Sequence, residues 1–250
     1  MTIAGQTILL TGASRGIGAA LLDRLIENGA TRIIAVARSV DALDAAVARH
    51  GAMVTPMVAD LGDPQAVNTL IAAVRRDAPD LSVLINNAGT QLLVDLVAAE
   101  APSAIDELAR EIELNFTATI RLIAGLMPIL VAQPSATIVN ITSALALAPK
   151  RSSPVYCATK AGLRSFTKAL RYQAADRAPH LRVIEALPPL VDTDMTRGRG
   201  HSKISAETCA DQIVSGMLGR KDEIHVGKSR LLRMVFGVSP TLAERIMRNG

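Results

Sequence analysis

Aromatic side chains are scarce: the chain has no tryptophan, two tyrosines and three phenylalanines among 250 residues. Its basic residues are spread along helical stretches rather than gathered in a stripe, so a nucleic-acid-binding protein is not expected. A phosphate on a small cofactor accounts more simply for the net charge of +4. Cysteine is equally sparse. Cys157 and Cys209 lack CxxC spacing and read as buried thiols, which argues against a disulfide framework or a zinc site. His50, His180, His201 and His225 are scattered without a second ligand at metal-site spacing, and no structural metal is expected. No signal peptide is expected either, because the run Ile8-Leu9-Leu10 is broken at once by Thr11-Gly12. Charged residues, glycine or proline are expected to hold every apolar stretch below the roughly 18 residues of a spanning helix. The expectation is a cytoplasmic protein that does not span a membrane.

What the chain does have is hydrophobicity, 49% of its residues, enough at this length for one sizeable α/β core spanning 1–250. Short β-branched or aliphatic runs alternate with helical patterns. Strands are expected at Thr7–Leu10, Ile33–Val36, Ala52–Ala59, Leu81–Asn86, Ala136–Ile141, Leu181–Ala186 and Glu223–Val226, with a first helix over Gly16–Asn28. Such alternation specifies βαβ units and a Rossmann-type, doubly wound, mostly parallel sheet of about seven strands with helices on both faces. Long helical patterns at Ala104–Ala132 and Pro154–Ala178 carry apolar surface enough for a subunit interface or for core packing. Around 188–206, Pro188-Pro189 stops a strand and Gly198 and Gly200 loosen the chain beyond it, as in a mobile substrate lid. The tail 228–250 mixes Arg230, Arg233, Arg245 and Arg248 with Leu231, Leu232, Phe236 and Ile246. Such a basic amphipathic segment rests on anionic lipid or, as we favour, packs over a pocket or a neighbouring subunit.

Between the first strand and first helix lies Thr11-Gly12-Ala13-Ser14-Arg15-Gly16-Ile17-Gly18. Glycines at that junction let backbone approach a pyrophosphate at the helix N-terminus. At the end of the second strand, where a carboxylate would hydrogen-bond the ribose of NAD and repel a 2′-phosphate, the sequence reads Val36-Ala37-Arg38-Ser39. Arg38, with Arg15 from the glycine loop, is placed to fork onto a phosphate. NADP(H) is therefore expected over NAD(H); the alternative is that both arginines are solvated helix-end charges. Tyr156 and Lys160 are four apart on one helix face, and a nearby ammonium favours a phenolate, which gives a phenol of pKa about 10 a use as an acid and base near neutrality. Ser143 ends the fifth strand, thirteen residues before Tyr156, with Thr142 as its competitor.

The GxxxGxG spacing, Asn86-Asn87-Ala88-Gly89, Ser143 and Tyr156-Cys157-Ala158-Thr159-Lys160, in this order, resemble the short-chain dehydrogenase/reductase family from Thr7 to about Met195. The resemblance implies a catalytic set of Asn115, Ser143, Tyr156 and Lys160. Asn115 would hold a water linking Lys160 to solvent, and Lys160 would also hydrogen-bond the nicotinamide ribose. It further implies cofactor contacts at Gly12, Ser14, Arg15, Gly16, Ile17, Gly18, Arg38, Asn87, Ala88, Gly89, Tyr156 and Lys160. Asp60-Leu61 would meet the adenine, and Val191 and Thr193 the carboxamide and phosphate. Pro189 stands where the family commonly has glycine, which stiffens that turn. The segment Pro188–Arg199 together with Glu223–Lys228 is similar to the branch named for teichoic-acid D-alanylation, a label that fixes no substrate.

The activity implied is hydride transfer between NADP(H) and a carbonyl or secondary alcohol, in a homodimer or homotetramer. Apolar loops at Leu145–Pro154 and Gln91–Leu96 lead us to expect a moderately hydrophobic small molecule, with Lys150, Arg151, Arg197 and Arg199 leaving room for an anionic group. The same fold also serves non-catalytic NADP(H)-binding regulators and enzymes of dehydration or epimerisation. The occupied tetrad positions favour net carbonyl chemistry over both.

Overall fold

The computed structural model describes residues 2–98 and 104–249. Seven parallel strands form one sheet in the order β3-β2-β1-β4-β5-β6-β7. They are β1 (Thr7–Thr11), β2 (Arg32–Ala37), β3 (Val54–Val58), β4 (Leu81–Asn86), β5 (Ala136–Ile141), β6 (Leu181–Leu187) and β7 (Glu223–His225). Side chains alternate across the sheet and both sides are covered, so the central strands read as unbroken apolar runs. Ile8, Leu10, Ile33, Val83 and Ile85 face a core completed by Leu21, Leu25 and Ile213. Leu9, Ile34, Leu84 and Ile138 face the opposite core, with Leu70, Leu122, Leu126 and Leu170. Helices α1 (Gly16–Glu27), α2 (Val40–His50) and α7 (Ala206–Leu218) cover the first face, and α3 (Pro64–Asp77), α5 (Ala118–Val131) and α6 (Pro154–Arg177) the second.

From β1 the chain winds outward through β2 to β3, then returns to the other side of β1 as β4. Where the winding reverses, the loops after β1 and β4 part and leave a crevice at the strands' carboxyl ends, the usual place for a ligand in such a sheet.

Several boundaries differ from the expected ones. Strand β3 starts at Val54, because Gly51–Met53 is taken up by a 3₁₀ turn that Gly51 enters at φ +61°. The expected helix Ala104–Ala132 is α4 (Ile105–Ile112) and α5 joined by a wider π turn at Glu113–Thr117. Over Ile105–Val131 this helix is long and apolar enough to cross a membrane by length and composition. Between Leu114 and Val131 it is interrupted by Arg121, Gly125 and Pro128. Its apolar side is used by the core, where Leu122, Ile123, Leu126 and Leu130 are buried against the sheet.

The lid region is stitched rather than loose. Val191 and Ile204 form a parallel bridge, Asp192 N–H donates to Ile204 O at 2.8 Å, and Lys203 Nζ donates to Thr196 O at 2.7 Å. The tail folds into α8 (Ser229–Val238) and α9 (Pro240–Met247). Leu232 and Ala243 pack with Ala144, Leu147, Ala148 and Leu187 beyond the end of β5, so the tail lies over the pocket's rim.

Candidate active site

One cavity of about 640 Å³ runs along the carboxyl ends of β1, β2, β4, β5 and β6. Every sequence-predicted site residue lines it except Asp60 and Asn115. Its first half is mostly main chain. Thr11 Oγ1 accepts from the N–H groups of Asn87 (2.9 Å) and Ala88 (3.0 Å), and Asn87 Nδ2 donates to Thr11 O and Gly12 O, which fastens the loop after β4 onto the end of β1. Two glycines have no substitute here. Gly12 sits at φ +67° with its absent Cβ 2.9 Å from Ala88 Cα, and a Cβ on Gly18 would lie 1.9 Å from Gly12 O. Helix α1 starts without a side-chain cap and without an acidic residue in its first turn, so its N–H groups and positive end remain open to an anion.

Arg15 and Arg38 flank that helix end, both exposed. Arg15 has a loose partner in Asp194 at 3.7 Å, whereas Arg38 makes no ion pair among the described residues. Asp60, expected at the adenine, pairs its carboxylate with Arg110 and accepts from Gly62 N–H at 3.0 Å, and of the Asp60-Leu61 pair it is Leu61 that lines the cavity. Burial raises the Asp60 carboxyl, but the Gly62 N–H and Arg110 more than offset this and hold it below the usual range. These features fit a dinucleotide: a backbone cradle without room for side chains, an open helix N-terminus, and a cation without a protein partner beside it.

The other half is made of side chains. Ser143 follows β5, its Oγ accepting from Leu145 N–H at 3.1 Å. Its competitor Thr142 is committed elsewhere, donating to the buried Glu185 at 2.7 Å, and Glu185 is held in turn by Arg164 at 2.5 Å. Tyr156 keeps some accessible surface toward the cavity but lies deep in protein, and burial pushes its phenol up to about 12 although the Ser143 hydroxyl pulls it down. Lys160 is 4% exposed, and burial brings its ammonium down to about 8. The Lys160 ammonium donates to Ile141 O at 2.9 Å and stands 5.7 Å from the Tyr156 ring centroid. In this state Tyr156 holds its proton.

Asn115 sits in the π turn, fully buried. Thr90 N–H donates to its Oδ1 and its Nδ2 donates to Thr90 O, both at 2.8 Å, with a longer bond from Nδ2 to Thr159 Oγ1 at 3.4 Å, so its amide joins the strand-end loop to α6. A Cβ on Gly89 would lie 3.1 Å from Asn115 Oδ1 and 3.6 Å from Lys160 Nζ, so the two side chains border the same glycine. Gln91 lines the cavity from the loop expected there, and Met247 from the tail expected to pack over a pocket. Sequence reasoning missed Glu111, buried one turn before Asn115, although it had a signal, an acid on the apolar stripe of a helix.

The family model for short chain dehydrogenases matches residues 6–203. The chain is 37% identical over 230 residues to an uncharacterized oxidoreductase, DltE, of Bacillus subtilis (strain 168), covering 90% of this chain and 89% of that one. A short chain dehydrogenase from Burkholderia cenocepacia J2315, crystallised with NADP, superposes at a TM-score of 0.87 with 29% identity over 99% of both chains. One from Burkholderia phymatum, crystallised with NAD, shares the fold at 0.81 with 20% identity, covering 95% of this chain and 96% of that one. With the glycine cradle, the Ser143, Tyr156 and Lys160 cluster and the seven-stranded sheet in place, these likenesses establish that the chain belongs to the short-chain dehydrogenase/reductase family of oxidoreductases.

Proposed function

We propose that the protein interconverts a carbonyl and a secondary alcohol with NADP(H), Tyr156 acting as the general acid and base. The observation that carries this reading is the meeting of Ser143, Tyr156 and Lys160 in the same cavity as the glycine cradle. When bound, the nicotinamide supplies or accepts the hydride at the substrate carbon. Ser143 donates a hydrogen bond to the substrate oxygen, and Tyr156, protonated at neutral pH, delivers its proton to that oxygen in the reductive direction. Lys160, buried behind the ring, stabilises the phenolate left behind. Asn115, with both ends of its amide on Thr90, has only main chain to offer a proton relay, and a π turn is where a helix frequently gives up regular pairing at a functional site.

The preference for the 2′-phosphate rests on Arg38 and Arg15, since the fold alone carries either cofactor. The NADP found with the Burkholderia cenocepacia relative supports it. Calorimetric titration of the purified protein is expected to show NADPH binding at least about tenfold tighter than NADH, a margin of about 1.4 kcal/mol. Arg38→Ala should erase that margin; equal binding in the unaltered protein overturns the phosphate reading. Tyr156→Phe should lower carbonyl reduction about 10³-fold while NADPH still titrates, and full turnover in that variant overturns the catalytic assignment.

A further inference from the structure

Two half-buried cations face the substrate half of the cavity with no acidic partner among the described residues. Lys150, from the loop after Ser143, and Arg199, from the lid, both line it. Arg199 is fixed by donating to Gln91 Oε1 at 2.9 Å, and Lys150 Nζ has no hydrogen bond or ion pair among the described residues. The one acid in the lining among the described residues, Asp194, is occupied by Arg197 and approached by Arg15. Burial holds the Lys150 ammonium below its ordinary range, and Arg199 pushes it further down. Like charges partly withdrawn from water repel, and an anion placed between them relieves both costs. Leu145, Leu190 and Met247 supply an apolar wall around the pair.

We propose that Lys150 and Arg199 form an anion subsite, and that the substrate is an apolar-chained oxo acid or hydroxy acid whose carboxylate sits between them while its carbonyl or alcohol meets Ser143 and Tyr156. This rests on the carbonyl-reductase reading. The test is a panel of oxo acids, each paired with its neutral methyl ester, assayed with NADPH. The acid is expected to exceed its ester at least tenfold in kcat/KM, and that ratio to fall at least tenfold in Lys150→Met and in Arg199→Met. Ester turnover that depends on Tyr156, with no acid preference or one unmoved by both substitutions, overturns the subsite and leaves the reductase standing. Failure of every carbonyl overturns the reductase reading and the subsite with it.

A second observation stands apart from this one. Glu111 is 1% exposed; Oε1 accepts from Leu92 N–H at 3.1 Å, and Oε2 is buried with no hydrogen-bond partner among the described residues. Such a group is costly to bury unless a charge nearby offsets it. Helix α4 packs on α6, and Lys160 is the buried cation whose charge reaches Glu111. Tyr156 and Cys157 feel the carboxylate from the same helix α6, whereas β5 offers Lys160 only the Ile141 carbonyl and the loop after β4 offers Gly89.

The geometry points to Glu111 as a positioning residue that supplies the counter-charge to Lys160 and ties the loop at Leu92 to the catalytic helix. The experiment is the pH profile of carbonyl reduction in Glu111→Gln and Glu111→Asp. Loss of the charge is expected to move the alkaline limb, set by Lys160, downward by on the order of one pH unit. Glu111→Asp, which keeps the charge, is expected to hold the limb in place. A limb unmoved in the Gln variant overturns the proposal, and so does a limb that falls by a full unit in the Asp variant.

Discussion

The two halves of the cavity are built by different means. The cofactor half is backbone: a glycine turn, an open helix end and a loop tied to β1 by Thr11 and Asn87, with Arg15 and Arg38 at its edge. The substrate half is side chains delivered by the loops after β4 and β5, the lid and the tail, with Gln91, Lys150, Arg199 and Met247 arriving from these four segments in turn. Backbone sites tolerate almost no change of shape, whereas side-chain sites are altered one residue at a time. A family built this way keeps its cofactor chemistry and changes its substrate.

Gly18→Ala is the severest test of the first half. The new Cβ would fall 1.9 Å from Gly12 O, well inside contact distance, so the β1–α1 turn must open. A stability loss of roughly 1–3 kcal/mol is expected for such overpacking. NADPH affinity should fall at least about a hundredfold, equivalent to roughly 2.7 kcal/mol, as read by calorimetry alongside thermal melting. Retained affinity would show that the cradle is not what holds the cofactor.

The next effect lies where the halves meet, and it is read in pH. Lys160 is held down to about 8 by burial and Tyr156 up to about 12. On the proposed mechanism reduction needs the Lys160 ammonium beside the ring, so its rate is expected to be full well below pH 8 and to fall as pH rises through that value. Tyr156 itself stays protonated throughout the range. A reductive profile flat from pH 6 to 10 would dissociate Lys160 from the chemistry.

The cofactor half was legible in the sequence because its requirements are local. A strand, a glycine turn and a helix are consecutive, and only glycine answers the demand at Gly12 and Gly18. The Tyr156 and Lys160 pair was equally local, one helical turn on α6. The partner of Asp60 was not legible, because a strand-end acid is placed by sequence while its Arg110 neighbour comes from fifty residues away. The depth of the Tyr156 ring was not legible for a related reason. Spacing brings an ammonium near the ring, but burial, which raises the phenol, is not displayed by sequence. The lid was read as loose from Gly198 and Gly200, whereas the bridge between Val191 and Ile204 closes its base.

Met247 gives the smallest expected effect, and it isolates the tail's part in the substrate half. It lies near the end of the described chain, partly buried against the cluster of Ala144, Leu147 and Leu187, and it lines the cavity on that side. Arg248 O, accepting from Arg151 N–H at 3.1 Å, fastens this end of α9 to the substrate loop. Met247→Ala removes an adaptable apolar surface without touching Ser143, Tyr156 or Lys160. The transfer energy lost, about 1–2 kcal/mol for a partly buried side chain, is expected mainly in binding, as a several-fold rise in KM for apolar carbonyl substrates with a much smaller change in kcat. Steady-state kinetics decide it: a fall in kcat at constant KM would mean that the tail orders the catalytic groups rather than the substrate, and the two halves would then be less separable than their construction implies.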